Sequence, residues 1–155
     1  MDVIQTDHFY VTLLSNASSN IYPENTLTSF TVHLARPIDL GSTHKWEVGI
    51  CEFTCQPQYV GTFKPLRVIG DTNALIYCDL ISQQFFGNKY IRCLRTFITP
   101  STHCEHIFKN VYYMSVEKHA FQDVTIQILT LEGQPIKMPA STTPTKIVLH
   151  FRRIR

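Results

Sequence analysis

The sequence predicts an all-β chain: a single jelly-roll β-sandwich over residues 1–155, with eight strands in two antiparallel four-stranded sheets. Three observations carry that prediction. Apolar residues recur at every second position in segment after segment, the period of a strand with one buried face. No window of a dozen residues holds the i, i+3, i+4, i+7 stripe of an amphipathic helix, and Thr, Ile and Val outnumber Ala and Glu. Long polar connections, rather than tight hairpins, join the strands, which suits a chain that crosses between sheets better than a meander.

The elements follow in order. "HFYVTLLS" sets Phe9, Val11 and Leu13 on one face and Tyr10, Thr12 and Leu14 on the other. A Ser-, Asn- and Pro-containing stretch over 15–28 then reads as the first crossing between sheets. "SFTVHLA" places Phe30, Val32 and Leu34 opposite Thr31 and His33, and "KWEVGICEF" aligns Trp46, Val48 and Ile50. "ALIYCDLI" is a more continuously apolar strand that ends near the turn-like "FGN" at 86–88. "KYIRCLRTFIT" resumes and stops at Pro100, and "VYYMSV" (111–116) is a short β-branched and aromatic run. "DVTIQILTL" alternates most cleanly, with Val124, Ile126 and Ile128 against Thr125 and Gln127, and "TKIVLHFRR" closes with Ile147, Leu149 and Phe151 in one row. Trp46 and Ile126 are therefore expected in the core. Short helical turns are expected only at "ISQQFF" (81–86) and "TPSTHCEHIF" (99–108).

Composition bounds the class. A chain of 155 residues, 44% apolar and 17% charged, is long enough to bury roughly 70% of its unfolded surface and lies far from a disordered composition. No apolar run approaches the roughly 20 residues that cross a bilayer, and "MDVIQTDHFY" has no basic or apolar leader, so no membrane partner and no secretion are expected. Five cysteines, an odd number mostly within strand-like runs, suit reduced thiols in the cytosol or nucleus. Residues 1–88 hold four basic and eight acidic side chains, whereas 89–155 hold ten and four. That asymmetry is a better argument for contacts between subunits than for a nucleic-acid surface.

Motifs for chemistry are scarce. There is no G-x-S-x-G elbow, phosphate-binding loop or dinucleotide fingerprint, and no cofactor or catalytic residue is expected. His103-Cys104-Glu105-His106 is the best run of metal-ligand types, but its members are consecutive, whereas zinc sites separate their ligand pairs, so no metal is expected. Cys51 and Cys55 are an even number apart on a strand and should point to one face as core thiols. The run Lys89–Phe97 mixes basic and aromatic residues as a single-strand-binding sheet does. Tyr90 and Arg92 should share a face, with Arg95 on the other, which splits the platform. Tyr90, Arg92 and Arg155 are kept as weak nucleic-acid candidates. Arg152 and Arg153 suit either a nucleic acid or a carboxylate on a neighbour.

The order "DHFYVTLLSNASSNIYPENTLTSFTVHLARPIDLGSTHKWEVGICEF", closing on "PTKIVLHFRR", resembles the penton-type minor capsid proteins of Maverick (polinton) elements and adintoviruses. The likeness is densest over residues 8–58 and returns at 145–153. It implies a single jelly roll with strands one, three, six and eight in one sheet and two, four, five and seven in the other, the first and last pairing inside a sheet. It also implies a non-enzymatic structural protein of the virion, made in the host cytoplasm or nucleus. Such a subunit forms homopentamers at five-fold vertices beside the major capsid protein. Candidate interface or rim residues are Tyr22, Asn25, Tyr59, Tyr112, Tyr113, Arg152 and Arg153, although the tyrosines equally suit a core. The chain shows no long inserted domain and no polar N-terminal arm, so receptor attachment is not implied. The alternative reading is a monomeric sandwich that recognises nucleic acid or another protein through its loops.

Overall fold

The computed structural model of the chain describes residues 3–55, 72–99, 104–136 and 143–155. Its strands are β1 (His8–Leu14), β2 (Ser29–Asp39), β3 (Lys45–Cys55), β4 (Thr72–Cys78), β5 (Gln84–Phe86), β6 (Lys89–Ile91), β7 (Cys93–Thr99), β8 (Cys104–Ile107), β9 (Met114–Ser115), β10 (Ala120–Thr130) and β11 (Lys146–Ile154). One sheet runs β1-β11-β3-β8, with β9 on the same margin of β3 as β8; the other runs β2-β10-β4-β7. With β8 and β9 as two pieces of the sixth strand and β5-β6 as an inserted hairpin, this is the expected jelly-roll order.

Alternation explains why the sheets close on each other. Phe30 and Val32, Trp46, Val48 and Ile50, Val124, Ile126 and Ile128, and Ile147, Leu149 and Phe151 are all buried, as the period-2 reading requires. Phe151 stacks on Phe9 at 4.8 Å and on Phe121 at 5.9 Å, and Phe53 meets Phe97 at 4.9 Å. These contacts set β11 over β10 and β3 against β7. The crossing at 15–28 is tied down by its own groups: Ser18 Oγ accepts from the His33 N–H at 2.8 Å, and Asn25 Nδ2 and Oδ1 bond the Thr31 carbonyl and N–H.

Several expectations need correction. The first and last strands pair along seven residues, but β11 alone is interior and β1 is an edge strand. Among the described residues neither expected stretch is helical; residues 100–103 of the second lie outside them. Residues 84–86 form β5, because Gly87 at φ 59° supplies the positive φ that a type II′ hairpin needs at its first central position. Residues 104–107 form β8, paired with Glu52–Cys55. The run from Lys89 is two strands broken at Arg92. Cys51 and Cys55 do not occupy equivalent positions: the β11 ladder jumps from Ile50 to Glu52, so Cys51 is a bulge residue. The bulge switches the inward parity from Trp46, Val48 and Ile50 to Phe53 and Cys55, leaving Cys51 half-buried.

β2 has its own irregularity. Its ladder to β10 jumps from Ile38 to His33, so 34–37 bow away opposite Gln122, whose amide donates to the Leu34 carbonyl. Pro37 lies in that bow on an edge strand, where its missing N–H breaks no ladder.

The segment after β8 lies across the outer face of the first sheet, directly over Gly49. A Cβ at Gly49 would overlap the Val111 side chain and lie 2.7 Å from the Tyr112 carbonyl oxygen. Gly49→Ala is expected to cost about 1–3 kcal/mol by overpacking. Calorimetry should show a melting temperature lower by several degrees, and an unchanged value would mean that the segment is not seated there.

Candidate assembly surfaces

The stacking of β10 on β11, and the edge-on contact of Phe97 with His106 at 5.6 Å, put β1 beside β2 on one flank and β7 beside β8 on the other. Large apolar side chains are exposed on both. The β1/β2 flank carries Tyr10 on β1, Val3 bridged to Asp39 at the end of β2, and Ile21 in the connection between the two strands, and the β7/β8 flank carries Ile98, Ile107 and Tyr112. Ile107 is 72% exposed and Tyr112 61%, too much to be explained as core overflow. The second flank is also cross-linked by side chains: the Arg95 guanidinium lies 3.7 Å from the Phe108 ring and 4.4 Å from the Tyr112 ring, and Nη1 donates to the Asn110 carbonyl at 2.7 Å.

Tyr113 and Arg152 meet on the outer face of the first sheet. Arg152 lies over the Tyr113 ring at 3.5 Å and donates from Nε to Glu47 at 2.9 Å. Tyr113 Oη lies 2.7 Å from His150 Nδ1, and His150 Nε2 lies 3.3 Å from His8 Nδ1. Burial pushes the His150 imidazole below its ordinary pKa, with the neighbouring His8 and Arg152 adding to the effect. The lowered pKa favours the neutral ring, whose two nitrogens are bracketed by the Tyr113 hydroxyl and His8. Tyr10 stacks on it at 4.5 Å.

The remaining candidates lie apart. Arg153 and Arg155 both pair with Asp7, and the Arg153 hydrogen bond holds the Asp7 carboxyl below its usual range. This cation pair is already neutralised in part and is a poor phosphate clamp. Tyr22 donates to Asp123, which also binds His33 Nδ1 at 2.9 Å, so it fastens the first crossing to the second sheet. Asn25 is engaged with Thr31. Tyr59 lies outside the described residues. Tyr90, 55% exposed, packs on Phe85 at 5.0 Å on the hairpin, while Arg92 pairs with Glu117 at 2.8 Å and does not share Tyr90's strand. Spacing along the chain does not bring His150, Arg95 or Phe108 into the candidate set. Alternation places His150 on an outer face, but its partners come from β1 and the segment after β8.

The metal and thiol candidates separate too. His103 lies outside the described residues, β8 places Glu105 and His106 on opposite faces, and among the described residues no three metal-ligand side chains gather. Burial raises the Cys78 thiol to about 12 and the Cys93 thiol to about 11, the reverse of what a nucleophile needs. At pH 8, iodoacetamide should leave Cys78 and Cys93 unmodified in the folded chain and label both after unfolding. Rapid native labelling of either, read by mass spectrometry, would contradict this packing.

A two-sheet sandwich of this strand order is a small jelly roll, and this one exposes apolar side chains on opposite flanks. The sequence matches no family model and no curated protein. The fold is similar to a solved structure, the crystal structure of the mavirus penton protein. The two align with a TM-score of 0.63 and 7% sequence identity, over 95% of this chain and 100% of that one. At such identity the likeness is one of fold.

Proposed function

We propose that the chain is a non-enzymatic capsid subunit of penton type, a single jelly-roll unit that closes into homopentamers at the five-fold vertices of an icosahedral virion. The observation that carries this reading is the fold likeness to the mavirus penton protein, whose whole length is covered. The two flanks support it. A closed ring of identical subunits uses a heterologous contact, in which each subunit offers two different surfaces on different sides. Tyr10, Val3 and Ile21 on one side and Ile98, Ile107 and Tyr112 on the other are such a pair. The major capsid protein is the further partner in this reading.

Light scattering of the purified chain tests it. A mass near five times 17.9 kDa is expected, and a strict monomer at every concentration would move weight to a monomeric binding module. The flanks supply a sharper version. Ile107→Asp is expected to abolish the pentamer without lowering the melting temperature, because the side chain is exposed on the proposed contact. Phe85→Asp, still more exposed but on the hairpin, should leave the mass unchanged. A full pentamer in Ile107→Asp would remove the β7/β8 flank from the interface.

A further inference from the structure

The outer face of the second sheet carries a hollow of about 470 Å³ that the assembly reading does not use. Its floor is the register pair Tyr77 and Gln127 on the central strands β4 and β10. The β5-β6 hairpin forms one wall and the turn around Gly133 the other. Gly133 has φ 84°, and Lys89 Nζ lies 3.3 Å from where a Cβ there would stand, so the walls meet along one rim.

The lining chemistry is specific. Gln83, Gln127 and Gln134 enter the hollow from three different elements. Gln83 makes a long 3.5 Å bond to the Tyr90 carbonyl, while among the described residues the side-chain amides of Gln127 and Gln134 make no hydrogen bond. Each of those two amides therefore offers two donors and an acceptor to a ligand. Tyr77 and Tyr90 add aromatic surface. Lys89 and Glu132, one charge of each sign, are unpaired among the described residues, whereas Arg92 is held by Glu117.

We propose that this hollow binds an uncharged glycan. A sugar hydroxyl both donates and accepts, as a side-chain amide does, and the C–H face of a pyranose packs on an aromatic ring. The other ligand classes fit less well. A nucleic acid needs a track of cations for its phosphates, and Lys89 opposed by Glu132 is none. An added peptide strand needs a free sheet margin, but β4 and β10 are central and pair with each other. The proposal is independent of pentamer formation, since both floor strands lie between the flanks.

The test is an array of neutral gluco-, galacto- and manno-configured glycans, followed by saturation-transfer NMR with the best-retained glycan. Retention is expected, with transfer strongest to pyranose ring protons. Gln127→Ala and Lys89→Ala should each weaken binding about tenfold or more. Both variants should melt with the parent, because neither side chain is part of the core. Affinity should be unchanged between about 50 and 500 mM salt, as no counterion is released. The proposal is overturned if the array retains nothing, if both variants bind like the parent, or if binding falls steeply with salt while a single-stranded oligonucleotide competes.

Discussion

A chain ending at His150 is expected to show no cooperative unfolding transition. The five residues removed, Phe151 to Arg155, lie at the end of β11, the strand between β1 and β3. Phe151 and Arg152 pair with Phe9 and His8 on one side, and Phe151 to Ile154 pair with Val48 to Lys45 on the other. Phe151 is fully buried between Phe9 and Phe121, and loss of a buried Phe side chain costs about 3–5 kcal/mol. Arg152 with Glu47 and Arg153 with Asp7 are lost as well, though surface ion pairs contribute only about 0–1 kcal/mol each. Against a total stability of about 5–15 kcal/mol, the lost core ring and ladder leave little. Phe151→Ala in the full chain separates the parts: it should still fold, with a melting temperature lowered by about 2–4 °C per kcal/mol. Cooperative melting of the truncated chain within a few degrees of the parent would mean that β1 and β3 hold together without the end of β11.

What was legible in the sequence follows from what periodicity encodes. A half-buried strand announces itself at every second residue, so β1, β2, β10 and β11 could be read with their inward faces correct. The Cys51 bulge could not, because one extra residue reverses parity only relative to a partner strand, and which strand pairs with β3 is a property of the fold. The same holds for "ISQQFF": its composition tolerates a helical turn, and only the return of the chain at Lys89–Ile91 makes it a strand. Surface function was less legible still. Tyr112 and Tyr113 are adjacent in sequence, yet one is exposed beside Arg95 and the other is held between His150 and Arg152. Partners far along the chain decide that difference, and no local pattern reports them. The two apolar flanks emerge only when four edge strands are set side by side.

Trp46→Ala is expected to cost about 3–5 kcal/mol, the largest loss from any single side chain of β3. Trp46 is 1% exposed and packs on Phe9 at 5.6 Å, so truncation empties a large volume at the end of the core where β1, β3 and β11 meet. The indole also makes a polar contact, in which its Nε1–H donates to the Leu40 carbonyl at 3.1 Å and fixes the connection from β2 to β3. Trp46→Phe separates the two contributions. It refills most of the space but leaves the carbonyl without that donor, so a smaller loss of about 1–3 kcal/mol is expected. Both variants are best compared by urea denaturation followed by circular dichroism, since Trp46 is the chain's single tryptophan and its fluorescence is lost on substitution. In the parent that fluorescence should be blue-shifted when folded and move to the red in urea. A loss below about 1 kcal/mol in Trp46→Ala would mean that β3 does not present Trp46 to the core, and the inward row with Val48 and Ile50 would fail with it.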